Sequence, residues 1–162
     1  FNVDALITSV GLIPSVKPVE FVRTGPGFIT TNTNQTTADW IFAAGNCTVI
    51  FDLVDYVARE GEKAGKYAAL YAKNEYVPEE RITIKKGKNI NIIHPSYIDP
   101  NESTKLYVRV SKVFQRAEIT VEPLGIEIIE EEARPSEMIE IHIKSFKEKR
   151  IKEIEVSAHE LG

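Results

Sequence analysis

Apolar residues along this chain keep two different rhythms. Between Asp52 and Lys73 they recur three and four apart, at Val54, Val57, Ala58, Gly61, Ala64, Gly65 and Ala68. That spacing predicts an amphipathic helix whose inner face carries mostly small residues. Arg59, Glu60, Glu62, Lys63 and Lys66 fall on the other side and read as a solvated face of mixed sign. Asp52 stands where an N-cap or first-turn acid belongs. From Arg81 onward the period drops to two. The alternating sets are Ile82 and Ile84; Ile90 and Ile92; Leu106, Val108 and Val110; Ile119 and Val121; Ile126 and Ile128; Ile139, Ile141 and Ile143; and Ile154, Val156 and Ala158. Alternation of β-branched residues predicts half-buried strands. Turn signals separate them at Lys86-Gly87-Lys88, Asp99-Pro100-Asn101, Pro123-Leu124-Gly125, Arg134-Pro135-Ser136 and the charged run from Lys147 to Lys152. Short strands at this spacing predict an antiparallel β-sandwich of immunoglobulin-like type.

Ahead of the helix the apolar runs are shorter. Val3 to Val10 reads as a strand stopped by Gly11-Leu12-Ile13-Pro14, because proline cannot continue a central ladder. Phe28-Ile29-Thr30 reads as a short β segment after the turn signal Gly25-Pro26-Gly27. Asn32 to Thr37 is polar and is expected in a surface loop. Trp40-Ile41-Phe42-Ala43-Ala44 reads as a strand ending on Gly45-Asn46. Glycine at such an end lets a backbone or a ligand come close. The free N–H groups of the following helix point into the same space. In an open α/β sheet that crevice is where ligands bind. An ordinary strand-turn-helix unit with a tight connection satisfies the same pattern. The two helical glycines cost roughly 1 kcal/mol each against alanine. They therefore point to unusually close packing, which a sheet alone could supply.

Composition divides the chain where the rhythm changes. Residues 1–78 hold 14 charged side chains and residues 79–162 hold 30, so the two halves read as different architectures. The boundary is expected near Asn74-Glu75-Tyr76-Val77-Pro78, giving units 1–77 and 78–162. The chain opens inside an apolar run without an initiator methionine, so a piece of a longer polypeptide is expected. No apolar run reaches the length of a membrane span. The net charge of −4 comes with no basic stripe, which argues against nucleic acid as the main partner. A single cysteine, Cys47, excludes an internal disulfide framework and suits a reducing cytosol. It has no partner thiol or activating base in sequence and reads as an inert small residue. The histidines His94, His142 and His159 show no ligand spacing. His142 falls on the opposite parity from Ile141 and Ile143 and is expected to face outward. Glu130-Glu131-Glu132 reads as a solvated strand end, and Lys147-Glu148-Lys149-Arg150 as a polar hairpin tip.

Several linked segments of the first half carry a resemblance. Asp4 to Pro14 resembles the return from the NAD(P)H domain to the FAD domain in FAD-dependent pyridine nucleotide-disulfide oxidoreductases. Gly27-Phe28-Ile29-Thr30, Thr36-Thr37 and Ile41-Phe42-Ala43-Ala44-Gly45-Asn46 resemble that family's second flavin motif. The helix with Glu60-Gly61 and Ala64-Gly65 resembles its continuation. The likeness covers about residues 3–73. The β-rich remainder departs from the family's usual ending and resembles the tail of a subgroup of NAD(FAD)-dependent dehydrogenases.

The resemblance implies a fold and a function. Residues 1–77 would be the C-terminal part of a Rossmann-like FAD-binding domain, incomplete here, and residues 78–162 an appended sandwich. The parent would pass a hydride from NAD(P)H to FAD and on to an acceptor. The family usually has an acid after the motif's glycine, bonding a ribityl hydroxyl. Here Asn46 stands there, and its amide oxygen can accept the same bond. Gly45 and Asn46, with the backbone at Leu53, Val54 and Asp55, are the implied cofactor contacts. The helix N-terminus would favour negative charge on the flavin's pyrimidine edge. No residue qualifies as a catalytic acid, base or nucleophile. The first FAD motif, the nicotinamide-nucleotide motif and a paired redox dithiol are absent from the sequence. The isolated chain is therefore expected to hold FAD weakly or not at all and to be inactive, with NAD(P)H bound by a part not contained in it. A truncated sheet would also expose an edge, so self-association is expected. A second reading makes the sandwich a non-catalytic assembly module that docks a partner subunit or a second copy.

Overall fold

A computed structural model describes residues 5, 11–77, 81–146 and 150–162. The Val3 to Val10 strand, most of the Asp4 to Pro14 segment, Pro78 and the Lys147 to Lys149 tip lie outside the described residues. The elements in order are α1 (Val54–Ala72), β1 (Ile82–Lys86), β2 (Ile90–His94), β3 (Tyr97–Ile98), β4 (Thr104–Val110), β5 (Arg116–Glu122), β6 (Ile126–Glu131), β7 (Ile139–Ile143) and β8 (Glu153–Glu160). All seven alternating sets of residues lie in strands, and the two-residue β3 adds to them.

The strands form two open sheets, one ordered β3-β1-β8-β5-β6 and the other β2-β4-β7. Both contribute to one core. Leu106, Val108, Ile139 and Ile141 of the smaller sheet join Ile82, Ile119, Ile154 and Val156 of the larger. The smaller sheet is antiparallel, with Tyr107 opposite Glu140 and Lys105 opposite His142. The expectation of wholly antiparallel pairing fails at one seam, where β1 runs parallel to β8. No hairpin joins these two strands. They are separated by nearly the whole second half, and a long crossover permits parallel pairing.

Helix α1 begins after Leu53, whose backbone is extended, with no side-chain cap. Asn74 ends it in the left-handed region at φ 59°. Its N–H meets Tyr71 O, and the N–H of Glu75 reaches Leu70 O, a Schellman closure. The helix lies against the smaller sheet. Phe51 stacks edge-on to Tyr107, with centroids 5.1 Å apart, and Tyr56 also packs on Tyr107. The smaller sheet is thus covered on both faces, by the larger sheet and by the first half of the chain.

Four local expectations are corrected. The Ile41–Ala44 strand is a single bridge from Phe42 to Gln35, and the Phe28–Thr30 segment is likewise reduced to a single bridge from Phe28 to Thr24. Of the expected surface loop from Asn32 to Thr37 only Thr37 is exposed: Asn32, Thr33, Asn34, Gln35 and Thr36 are all at most 2% exposed. A buried polar loop needs partners for its side-chain groups. Asn32 donates to the carbonyls of Asp99 and Glu102 and to the Thr104 hydroxyl, and its oxygen accepts from Asp99 N. Its backbone N–H bonds Tyr97 O. Gln35 accepts from Arg81. The polar segment is the bolt between the two halves. Finally, Asp52 is no helix cap. Its carboxylate pairs with Arg109 and accepts from Met138 N, tying the entry to α1 onto the second half.

Candidate functional site

The turn into α1 is built on two glycines. Gly27 lies so close to the next segment that a Cβ would sit 2.1 Å from Thr48 O, and Phe28 N bonds Cys47 O. Gly45 is buried with φ +74°, a conformation glycine adopts freely, and opens a short 3-10 turn, Gly45–Cys47. Thr48 closes this turn through its N–H and hydroxyl, both bonded to Gly45 O. A Cβ on Gly45 would meet Val57 of α1 at 3.2 Å, so the turn and the helix are in contact. Asn46 projects outward. Its Oδ1 accepts from Phe51 N at 3.2 Å, holding the loop that leads to the helix. Leu53 and Val54 are 53% and 79% exposed, and Asp55 is also exposed. The five residues expected to touch a cofactor therefore divide. Gly45 is a packed pivot, Asn46 is a loop tie with a solvent-facing amide, and Leu53, Val54 and Asp55 form an open first turn.

The helix is rotated from the expected orientation. Glu60, Ala64 and Tyr67 are buried, whereas Ala58, Gly61 and Gly65 face outward. A Cβ on Gly61 or Gly65 would meet nothing within 4 Å. The close packing that two helical glycines imply is therefore not made within the described residues. Glu60, expected in solvent, is 3% exposed and accepts from Asn34 Nδ2 and Lys63 Nζ, each at 2.8 Å. Its Oε2 stands 4.0 Å from His94 Nε2. Burial, with the nearby charge of Lys63, drives His94 down to a pKa of about 3, so the imidazole is neutral. Phe51 meets it edge-on.

A cavity of about 530 Å³ opens beside the turn, lined by Leu12, Ile13, Phe28, Val49, Ile92 and His94 among others. None of Gly45, Asn46, Leu53, Val54 or Asp55 lines it. Sequence reasoning missed this cavity and the Glu60–His94 contact. The available signal was the parity of β2, which turns His94 and Ile92 to the same face. Cys47 is half-buried and donates to Ala44 O at 3.1 Å, while burial pushes its thiol pKa up. It is thus held protonated and unreactive at neutral pH.

Comparison with family models, curated proteins and solved structures finds no match. Among the described residues no helix is long and apolar enough to cross a membrane.

Proposed function

We propose that the chain is the flavin-side part of a FAD-dependent NAD(P)H oxidoreductase of the pyridine nucleotide-disulfide type, followed by an immunoglobulin-like sandwich. The observation that carries this reading is the outward face of α1. An open first turn, Leu53-Val54-Asp55, runs into a stripe of Ala58, Gly61 and Gly65 that no described residue covers. Exposed glycines inside a helix weaken it without return unless something packs there. In the proposed parent, the rest of the FAD domain covers the stripe. The flavin would then lie across the first turn, where the N–H groups of Val54 and Asp55 have no helical acceptor.

The residues present fit one side of such a group. Asn46 holds its solvent-facing amide next to the Gly45 pivot, suited to a ribityl hydroxyl. Leu53 and Val54 offer apolar surface. FAD, when bound, supplies two-electron chemistry, while protein groups position it and tune it. The pyrophosphate cradle is absent from this sequence, so this chain contributes ring and ribityl contacts only. The second half of the chain buttresses the entry to that turn through Asp52, held by Arg109 and Met138 N.

Riboflavin, the ring-and-ribityl half of FAD, is the direct probe. Its fluorescence anisotropy should rise weakly with the chain, and adenosine diphosphate should not compete. Asn46→Asp should retain the binding, whereas Asn46→Ala should weaken it by about fivefold, the worth of one hydrogen bond. Equal binding by both variants would remove Asn46 from the site. Competition by adenosine diphosphate would place the site elsewhere.

A further inference from the structure

A second cleft, of about 370 Å³, lies between α1 and the strands β4 and β7, away from the Gly45 turn. Arg59 and Lys63 line it from the helix, Lys105 and Tyr107 from β4, and His142 and Lys144 from the end of β7. Two carboxylates stand against these four cations. Glu60 is taken up by Lys63 and Asn34. The Oε1 of Glu140 is taken up by Lys105 and His142. The four cations outnumber the two carboxylates, and Arg59 shares Glu140 with Lys105. Arg59 is 3.9 Å from Glu140 Oε2, and Lys144 has no ion pair among the described residues.

One polar atom of the lining, the Tyr107 hydroxyl, is buried without a hydrogen-bond partner, and so is Glu140 Oε2, whose carboxylate is held by the lining residues Lys105 and His142. They belong to residues directly opposite in the β4–β7 register. Tyr107 is 1% exposed. Burial, with the charges of Glu60 and Glu140, raises its pKa far above neutrality, so the hydroxyl is a standing donor. Burial raises the Glu140 carboxyl as well, but the bonds from Lys105 and His142 outweigh it and hold the group ionised, a standing acceptor. Leaving such groups unpaired is costly. One donor and one acceptor side by side, under surplus positive charge, call for an anion that itself carries both functions.

We propose that this cleft binds a protonated phosphate. The P–O⁻ oxygens accept from the Tyr107 hydroxyl and face Arg59 and Lys144, while the P–OH donates to Glu140 Oε2. Sulfate has the same shape and no proton at neutral pH. It would leave Glu140 unpaired and set like charges together.

The test is a titration of the whole chain with inorganic phosphate at fixed ionic strength, followed by amide and side-chain NMR shifts. The expected result is saturable shifts at Arg59, Lys105, Tyr107 and His142. Sulfate should bind at least about tenfold more weakly, because it strands a buried acceptor. Methyl phosphate, fully ionised above neutral pH, should follow sulfate there and follow phosphate near pH 5. That arm separates free phosphate from phosphate esters. Tyr107→Phe removes a hydroxyl that bonds nothing in the protein, so the fold should survive, while phosphate binding falls about tenfold. Lys144→Ala, at an exposed position, should weaken binding several-fold without touching the core. Equal affinity for phosphate and sulfate, absence of saturable shifts, or an unchanged affinity in both variants would each overturn the proposal.

Discussion

At the scale of single residues, the consequential groups are polar side chains placed where water cannot reach. His94 is neutral in the fold, with its pKa lowered from 6.5 to about 3. The unfolded chain takes up a proton near pH 6.5, whereas the folded chain does not until pH is far lower. Stability is therefore complete above pH 6.5 and falls as pH drops from 6.5 toward 3, by up to roughly 1.4 kcal/mol per pH unit from this group. Denaturant melts at pH 7.5, 6.5 and 5.5 should show the decline begin below 6.5, and His94→Gln should flatten it. The charge of Glu60 was legible, but its burial was not. Its partners Asn34 and His94 come from separate segments, and helical periodicity reports spacing rather than which neighbours arrive. Asn46 shows the converse. Its place after Gly45 was legible, but its bond to Phe51 N depends on the turn that follows.

At the scale of elements, the strands of the second half were legible because alternation has the same period as the pleat. The helix was also legible, but its rotation was not. Val54, Ala58, Gly61 and Gly65 form one continuous face in sequence, as do Tyr56, Glu60, Ala64 and Tyr67. The described fold buries Glu60, Ala64 and Tyr67 of the second set and half-buries Tyr56. Aromatic contacts with Phe51 and Tyr107 outweigh the small-residue face, which offers little apolar area. The helix glycines then act only as weak helix formers. Gly61→Ala and Gly65→Ala should each stabilise this chain by about 0.5–1 kcal/mol in chemical denaturation. Destabilisation by either would show that the face is already packed.

At the scale of the whole molecule, the two halves distinguished by composition are bolted together by residues 30–36. The polar character of that stretch read as solvent exposure, but its partners lie up to 72 residues away, as with Asn32 and the Thr104 hydroxyl. Asn32→Ala should therefore cost roughly 2–4 kcal/mol, since it removes one group and strands several buried ones. The unfolding of the native chain should be a single transition. Trp40 fluorescence, reporting the first half, should coincide with the infrared β-sheet band of the second. Separate transitions would make the halves independent. Exposed Leu12, Ile13, Phe21, Leu53 and Val54 give the first half an apolar surface on which the expected self-association would act.

The proposed floor for the flavin is the point on which the functional reading turns, and an amide-resolved titration with riboflavin tests it most directly. Perturbation should centre on Gly45, Asn46, Val54 and Asp55 and extend along α1 toward Gly61. Silence at those amides, with shifts confined to Phe28, Ile92 and His94 in the neighbouring cavity, would contradict it.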